Sequence, residues 1–140
     1  MEQKGGGVII EVDPNSEVPI YQQLRDRVVE AIASGALREG SPLPSTRALA
    51  TDFGINFHTV NKGYDLLRQQ RLLRINRKSG AVVLRDGNSG PPAPEFVADW
   101  TARATTLLAE ATAHGLNREE VLDICRTILT AFGESQEESR

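Results

Sequence analysis

The sequence predicts a mainly α-helical protein with a small β-wing, and three observations lead to this prediction. Residues 42–83 show the pattern of two short helices joined by a tight turn, followed by two short strands. A longer amphipathic helix precedes them. Two further apolar helical segments follow a proline-rich linker. The predicted fold is therefore a winged helix-turn-helix domain followed by a two-helix C-terminal dimerisation region.

Shifts in composition divide the chain into five parts. They are an N-terminal arm (1–17), the winged helix-turn-helix domain (18–86), a linker (87–94), the two-helix region (95–133) and a polar tail (134–140). In the arm, the apolar run 8–12 is a candidate strand that pairs either near the wing or across a dimer. The tail is expected to fray.

The first helix is expected to begin at Pro19, where a missing N–H costs nothing, and to end at Gly35. Apolar residues recur at four-residue spacing and form its buried stripe: Ile20, Leu24, Val28 and Ile32.

The helix-turn-helix is indicated by its capping and turn residues. Ser45 is a good N-cap for its first helix, Gly54 supplies the turn, and Asn56 is an N-cap for its second helix. The inward face of that second helix is predicted to hold Val60, Tyr64 and Leu67. Polar residues then crowd its first turns, where such a helix meets base edges in the major groove.

A basic hairpin follows, with strands expected at 72–75 and 81–84 and a turn at 76–80. Arg77 and Lys78 at its tip are candidates to enter the minor groove or to hold its phosphates, and Gly80 allows the backbone to come close. Arg68, Arg71 and Arg74 add peripheral charge or only solubility.

The two C-terminal segments are predicted to be helices that expose apolar faces. Gly115 ends the first helix, and Asn117 with Glu120 forms a capping box for the second. Their apolar residues are the predicted dimer interface: Phe96, Trp100, Leu107, Leu108, Val121, Cys125, Ile128, Leu129 and Phe132. The alternative is that this helical pair folds back on the winged domain of its own chain.

Composition narrows the class of protein further. No apolar run is long enough for a membrane span, no secretory signal is visible, and Cys125 is a lone cysteine, so we expect a cytoplasmic protein. Paired carboxylates, a nucleophile motif and a metal-ligand cluster are all missing from the sequence. We therefore expect neither enzymatic activity nor a cofactor nor a metal.

The net charge of −3 hides an uneven distribution. Residues 18–86 hold eleven basic and six acidic residues, a net +5, whereas 1–17 carry −3 and 87–140 carry −5. Since binding responds to the local field, the basic winged segment is compatible with a nucleic-acid partner.

The winged segment resembles the DNA-binding domain of the GntR family of bacterial transcription regulators. The matching positions are Pro19, Tyr21, Gln23, Leu24, Gly35, Leu37, Gly40, Leu43, Pro44, Ser45, Arg47, Leu49, Ala50, Thr59, Val60, Tyr64 and Leu67. The short remainder resembles the YtrA-type branch, whose tail is a pair of helices.

This resemblance implies that Arg47 lies at the DNA, on a guanine edge or a phosphate, and that Thr59 contacts a phosphate. Ser45 caps its helix and also touches a phosphate, or only caps. Phe57 stands at a position where relatives often have arginine or proline. Its ring is expected either to pack against a thymine methyl group or to cover the turn. The predicted contact set is Ser45, Thr46, Arg47, Phe57, His58, Thr59, Asn61, Lys62, Arg77, Lys78 and Gly80.

The resulting functional prediction is a homodimeric repressor that binds a twofold-symmetric operator in double-stranded DNA. A small-molecule effector, if one exists, is expected at an interface near Trp100. The alternative is a protein-interaction module whose C-terminal helices recruit a partner, with DNA binding secondary.

Overall fold

The computed structural model describes residues 2–5, 8–76 and 80–138. Its helices are α1 (Ile20–Ser34), α2 (Thr46–Phe53), α3 (Phe57–Gln69), α4 (Pro94–Ala113) and α5 (Arg118–Glu138). Its strands are β1 (Glu2–Gly5), β2 (Val8–Glu11), β3 (Pro42–Leu43), β4 (Leu73–Asn76) and β5 (Gly80–Val83). The fold is mainly helical with a small antiparallel sheet, which confirms the predicted fold class.

The core lies where α1, α2 and α3 meet, and α3 contacts both of the other helices. The predicted inward residues Val60, Tyr64 and Leu67 of α3 are buried, which confirms that face. From α1 and α2 come Leu24, Val28, Ile32, Leu49, Ala50 and Phe53. Burial of these apolar side chains stabilises the three-helix unit.

Two glycines end helices as predicted. Gly35 follows α1 at φ 87° and Gly54 follows α2 at φ 67°, and both conformations lie in the left-handed region that disfavours a Cβ atom. The Gly54 N–H donates to the carbonyls of Ala50 and Thr51, so α2 stops there and the chain turns into α3.

The wing is a three-stranded antiparallel sheet in the order β3-β5-β4. Leu73 pairs with Val83, and Asn76 pairs with Gly80, so the strands lie within one residue of their predicted bounds. Strand β3, which pairs Pro42 with Val82, was not predicted, because two residues carry no alternating pattern.

The N-terminal arm joins the core. The strand expected at 8–12 is present as β2, and it pairs with β1 in an antiparallel hairpin and not with the wing. Pairing across a dimer stays a prediction. Ile10 and Val12 are buried in the helical core. Gln23 of α1 fixes this arrangement, because its amide accepts from the Asp13 N–H at 2.7 Å and donates to the carbonyls of Asp13 and Val18.

The segment after β5 is held by one carboxylate. Asp86 accepts the backbone N–H of Glu39 at 2.8 Å and that of Asn88 at 2.7 Å. The Ser89 hydroxyl donates to Glu39. The chain therefore leaves the winged unit by a hydrogen-bonded turn against the α1–β3 connection.

Helices α4 and α5 follow this turn. Asn117 accepts the Glu120 N–H at 2.9 Å, and Glu120 accepts the Asn117 N–H at 3.2 Å, so the predicted capping box is confirmed. α5 continues past Gly133 to Glu138, which shows that most of the predicted polar tail is helical. Within the part of the chain described here, no helix is long and apolar enough to cross a membrane.

Candidate nucleic-acid interface

The first turn of α2 presents one part of the predicted contact set. Ser45 caps the helix, because its hydroxyl accepts the Ala48 N–H at 3.1 Å. Ser45 and Arg47 are exposed, and Thr46 is half-buried. Arg47 is therefore available to a ligand without a change in the fold.

The first turns of α3 present a second part. Asn56 caps this helix by accepting the His58 N–H at 2.8 Å. His58 and Lys62 are exposed, while three predicted contact residues are half-buried: Phe57, Thr59 and Asn61. The positive end of a helix dipole favours an anionic ligand such as a phosphate.

A part-buried hydrogen bond fixes the start of α2 relative to the body of α3. The Tyr64 hydroxyl on α3 donates to the Pro44 carbonyl at 2.7 Å, directly before the Ser45 cap. Burial raises the pKa of Tyr64 above its ordinary value, so the hydroxyl stays neutral and remains a donor. Sequence analysis had assigned Tyr64 only to the core, because helical periodicity does not report where a hydroxyl points.

Aromatic rings contact the exposed cations at this surface. The Arg47 guanidinium carbon lies 5.4 Å from the centre of the Phe57 ring. The rings of Phe57 and His58 have centres 4.6 Å apart and are tilted by 44°. The structure thus brings Arg47, Phe57 and His58 of two different helices into one cluster.

Lys62 belongs to a second contact, between α3 and α1. Its ammonium nitrogen lies 4.1 Å from the centre of the Tyr21 ring, within the range of a cation–π interaction. In the sequence, Tyr21 stands out only as one of the positions that carry the family resemblance. Its role as a platform for Lys62 leaves no signal in helical periodicity alone.

Gly63 allows α3 to approach α1 closely. A Cβ atom at this buried position would lie 3.0 Å from the Tyr21 carbonyl oxygen and 3.1 Å from a methyl carbon of Leu24. The sequence reasoning did not single out Gly63. A glycine inside a helical pattern is the signal that points to such a close approach.

At the wing, Gly80 begins β5 at φ 80° and is half-buried. Arg77 and Lys78, the predicted hairpin-tip contacts, lie outside the described residues. Arg68 of α3 forms an ion pair with Asp65 at 2.6 Å. The hydrogen bond that Asp65 accepts from Arg68 holds the pKa of the exposed Asp65 carboxyl below its ordinary value. The positive charge of Arg68 is thus partly compensated within α3.

The predicted dimer residues fall into two groups. On α4, Phe96, Trp100, Leu107 and Leu108 are exposed, as are Ile128 and Leu129 on α5. The remaining three, Val121, Cys125 and Phe132, are half-buried along one side of α5. Since α5 contacts α1 of its own chain, part of the C-terminal region folds back on the winged unit.

No group of His, Cys, Asp or Glu side chains suited to a metal ion occurs within residues 2–5, 8–76 and 80–138. A pocket lined by Ile32, Leu37, Arg38 and Asp86 holds only about 80 Å³. Ligand sites for small molecules are several times larger, roughly 300–1,000 Å³.

A helix-turn-helix with its two helix starts at one surface, followed by a β-wing, defines the class of winged-helix proteins. The family model described as bacterial regulatory proteins, gntR family, matches residues 20–83. The chain is 34% identical to YtrA from Sulfolobus acidocaldarius, a GntR-family transcription factor, with a TM-score of 0.54 over 69% of this chain and 97% of that one. The chain therefore belongs to the GntR family, whose members are transcriptional regulators and not enzymes.

One further relative agrees with this assignment, and one further solved structure shares the fold. The chain is 35% identical over 75 residues to the HTH-type transcriptional repressor YtrA of Bacillus subtilis, covering 54% of this chain and 58% of that repressor. The fold also matches a transcriptional antiterminator from Listeria monocytogenes with a TM-score of 0.75 at 24% identity, over 85% of this chain and 91% of that one. The predicted resemblance to the YtrA type is confirmed.

Proposed function

We propose that this chain is a repressor that binds a twofold-symmetric operator as a homodimer, with one winged unit on each half-site. The observation that carries the proposal is the cluster of Arg47, Phe57 and His58 at the joined starts of α2 and α3. Such helix starts meet base edges in the major groove, and an exposed arginine bonds guanine or phosphate.

Charge supports the assignment of the winged unit to DNA. Residues 18–86 carry a net +5, whereas the rest of the chain is acidic. In this scheme Lys62 and Thr59 hold phosphates, and Asn61 reads a base edge. The wing tip, with Arg77 and Lys78, reaches the adjacent minor groove. The chain would act in the cytoplasm, where bacterial DNA is found.

The exposed apolar side chains of α4 and α5 support a dimer. Trp100, Leu107 and Leu129 each expose more than half of their surface. Large exposed apolar side chains of this kind mark an interaction surface, and a second copy of the same helices is the simplest occupant. Two copies related by a twofold axis place their half-sites about 34 Å, or a multiple of that distance, apart.

Repression is proposed by analogy with a relative, because the YtrA protein of Bacillus subtilis is named a transcriptional repressor. In this proposal the chain represses by occupying its operator. The pocket beside Asp86 is small, so an effector would bind between protomers or near Trp100. The alternative is a protein-interaction module, which the same apolar surface of α4 favours.

A footprint on the DNA upstream of the chain's own gene tests the proposal. We expect the purified protein to protect a twofold-symmetric site, with an affinity that falls steeply between low and moderate salt because phosphate contacts release counterions. Binding without sequence preference, or no binding by a stable dimer, would contradict the proposal and favour the interaction module.

A further inference from the structure

We propose that Phe57 determines sequence specificity by holding the Arg47 guanidinium against its ring, so that α2 and α3 read adjacent base pairs together. This inference rests on the proposed binding of duplex DNA by the winged unit. In this inference Phe57 positions Arg47, and the Phe57 ring also contacts a thymine methyl group.

The ring of Phe57 is a fixed platform. Phe57 is the first residue of α3, directly after the Asn56 cap, so its backbone position is set by the start of the helix. Its side chain is half-buried and packs against the hydrophobic core. The ring of His58 contacts it as well, with centres 4.6 Å apart. An aromatic ring so placed loses little freedom when a ligand arrives.

Arg47 is a different kind of side chain, because it is long, exposed and charged. A free arginine must be ordered when it binds a base edge, and this lost freedom weakens binding. With its guanidinium carbon 5.4 Å from the Phe57 ring centre, Arg47 makes a cation–π contact that favours this position in the unbound protein. The ring therefore reduces the conformational entropy that the Arg47 side chain loses when its guanidinium binds the DNA.

The distance between the two groups limits what they read. Successive base pairs are about 3.4 Å apart along the duplex axis. A separation of 5.4 Å between Arg47 and the Phe57 ring is shorter than two such steps. The two side chains thus meet neighbouring base pairs, since a guanine and a thymine belong to different pairs. Arginine suits the O6 and N7 atoms of guanine, and an apolar ring suits the C5 methyl group of thymine.

Phe57 is also neutral, which separates its effect from general electrostatics. Sequence-independent affinity follows the number of phosphates that cations neutralise. Replacing Phe57 with leucine leaves the charge of the chain unchanged. A role in positioning Arg47 therefore changes operator binding and leaves binding to unrelated DNA as it was.

The first test is a double-mutant cycle on the operator found by the footprint, using Phe57→Leu, Arg47→Ala and the double variant. We expect Phe57→Leu to lower operator affinity roughly two- to fivefold through loss of the cation–π contact, with more if the methyl contact is lost too. Binding to unrelated DNA stays unchanged. In the Arg47→Ala background, Phe57→Leu has a clearly smaller effect.

Phe57→Tyr is the matched control, because it keeps the ring and should retain most of the wild-type affinity and base preference. Independent effects of Phe57→Leu and Arg47→Ala, multiplying in affinity, would overturn the positioning role. An equal loss on operator and on unrelated DNA would do the same. Thermal unfolding of each variant shows whether the fold is retained.

A second test needs only the wild-type chain, so it holds even if Phe57→Leu does not fold. Each thymine of the half-site is replaced by deoxyuridine, which lacks the methyl group, and each guanine by 7-deazaguanine, which lacks N7. We expect a sensitive thymine in the same base pair step as a sensitive guanine. Sensitive positions separated by two or more steps, or no sensitive thymine, would overturn the inference. If the wild type binds no operator at all, the proposed function fails first.

Discussion

At the scale of single residues, the DNA-facing surface depends on side chains that hold other side chains. Tyr64 holds the start of α2 through Pro44, and the rings of Phe57 and Tyr21 hold Arg47 and Lys62. These interactions add little to stability individually, but together they fix where the cations point. Preorganisation of this kind favours specific binding.

Gly63→Ala is expected to destabilise the fold by about 1–3 kcal/mol, the range for overpacking a well-filled core. The added Cβ would lie 3.0 Å from the Tyr21 carbonyl oxygen, which belongs to the backbone of α1 and cannot move alone. Urea unfolding followed by circular dichroism measures the change.

Gly133→Ala is the matched control for this prediction. Gly133 lies inside α5, and an added Cβ atom would meet nothing within 4 Å. Alanine at such a position favours the helix by about 0.5–1 kcal/mol. Equal responses at the two glycines would contradict the close approach of α3 to α1.

At the scale of elements, the end of α3 contains backbone strain. Arg71 has φ 61°, a left-handed conformation that a side chain with a Cβ atom disfavours. It follows the α3 cap, where the Leu72 N–H donates to the Leu67 carbonyl at 3.0 Å and closes the helix end. This position before the wing suits glycine better than arginine.

Arg71→Gly is therefore expected to stabilise the protein by about 0.5–1 kcal/mol, because relief of the left-handed strain exceeds the entropy that glycine adds to the unfolded chain. Arg71→Ala removes the same side chain but keeps the Cβ atom, and it should leave the free energy of unfolding nearly unchanged. If alanine stabilises as much as glycine, the effect comes from charge and the account of strain is wrong.

The turn at Asp86 predicts a pH dependence. Hydrogen bonds from the backbone N–H groups of Glu39 and Asn88 hold the pKa of Asp86 below its ordinary value. A carboxyl with a lowered pKa in the folded state stabilises the protein above its unfolded pKa of about 4. This contribution is lost as the pH falls through the lower, folded value.

Asp86→Asn should consequently be less stable than the wild type at pH 6, and the difference should shrink at pH 3. Unfolding in urea at both pH values measures it. Asp65→Asn serves as a comparison, since Arg68 lowers the pKa of that carboxyl through an exposed pair on α3. A gap between wild type and Asp86→Asn that stays constant with pH would exclude the charged turn as the cause.

At the scale of the whole molecule, helix periodicity and caps predicted the helical part of the fold well. Ser45, Gly54, Asn56 and the Asn117–Glu120 box each mark a helix end through chemistry local to the chain. The contacts that assemble those helices were not predictable in the same way. The burial of Ile10 and the packing of α5 against α1 join residues far apart in sequence.

The candidate site shows the same division. Sequence placed Arg47, Phe57 and His58 at two helix starts, but only the structure shows the contacts among them. The wing-tip residues Arg77 and Lys78 stay predictions. So does the dimer interface, because a single chain shows which apolar side chains are exposed and not what covers them.

Leu107→Asp on α4 is expected to dissociate the proposed homodimer, because a charge would be buried without a partner at the interface. Leu107 exposes 65% of its surface in the single chain, so its own fold tolerates the change. Ala102→Asp is the control, since 100° per residue places it on the opposite side of α4 from the apolar stripe. If sedimentation shows a dimer for both variants, Leu107 does not lie in the dimer interface and the prediction is wrong.

The central claim is that the joined starts of α2 and α3 meet DNA, and the salt dependence of operator affinity in three charge-removing variants tests it most directly. We expect Arg47→Gln to weaken binding by about 1–3 kcal/mol and Lys62→Gln to reduce the salt slope by about one. Arg126→Gln on α5, which removes the same charge far along the chain, should leave both quantities unchanged. Equal losses in all three variants, or none, would contradict the claim.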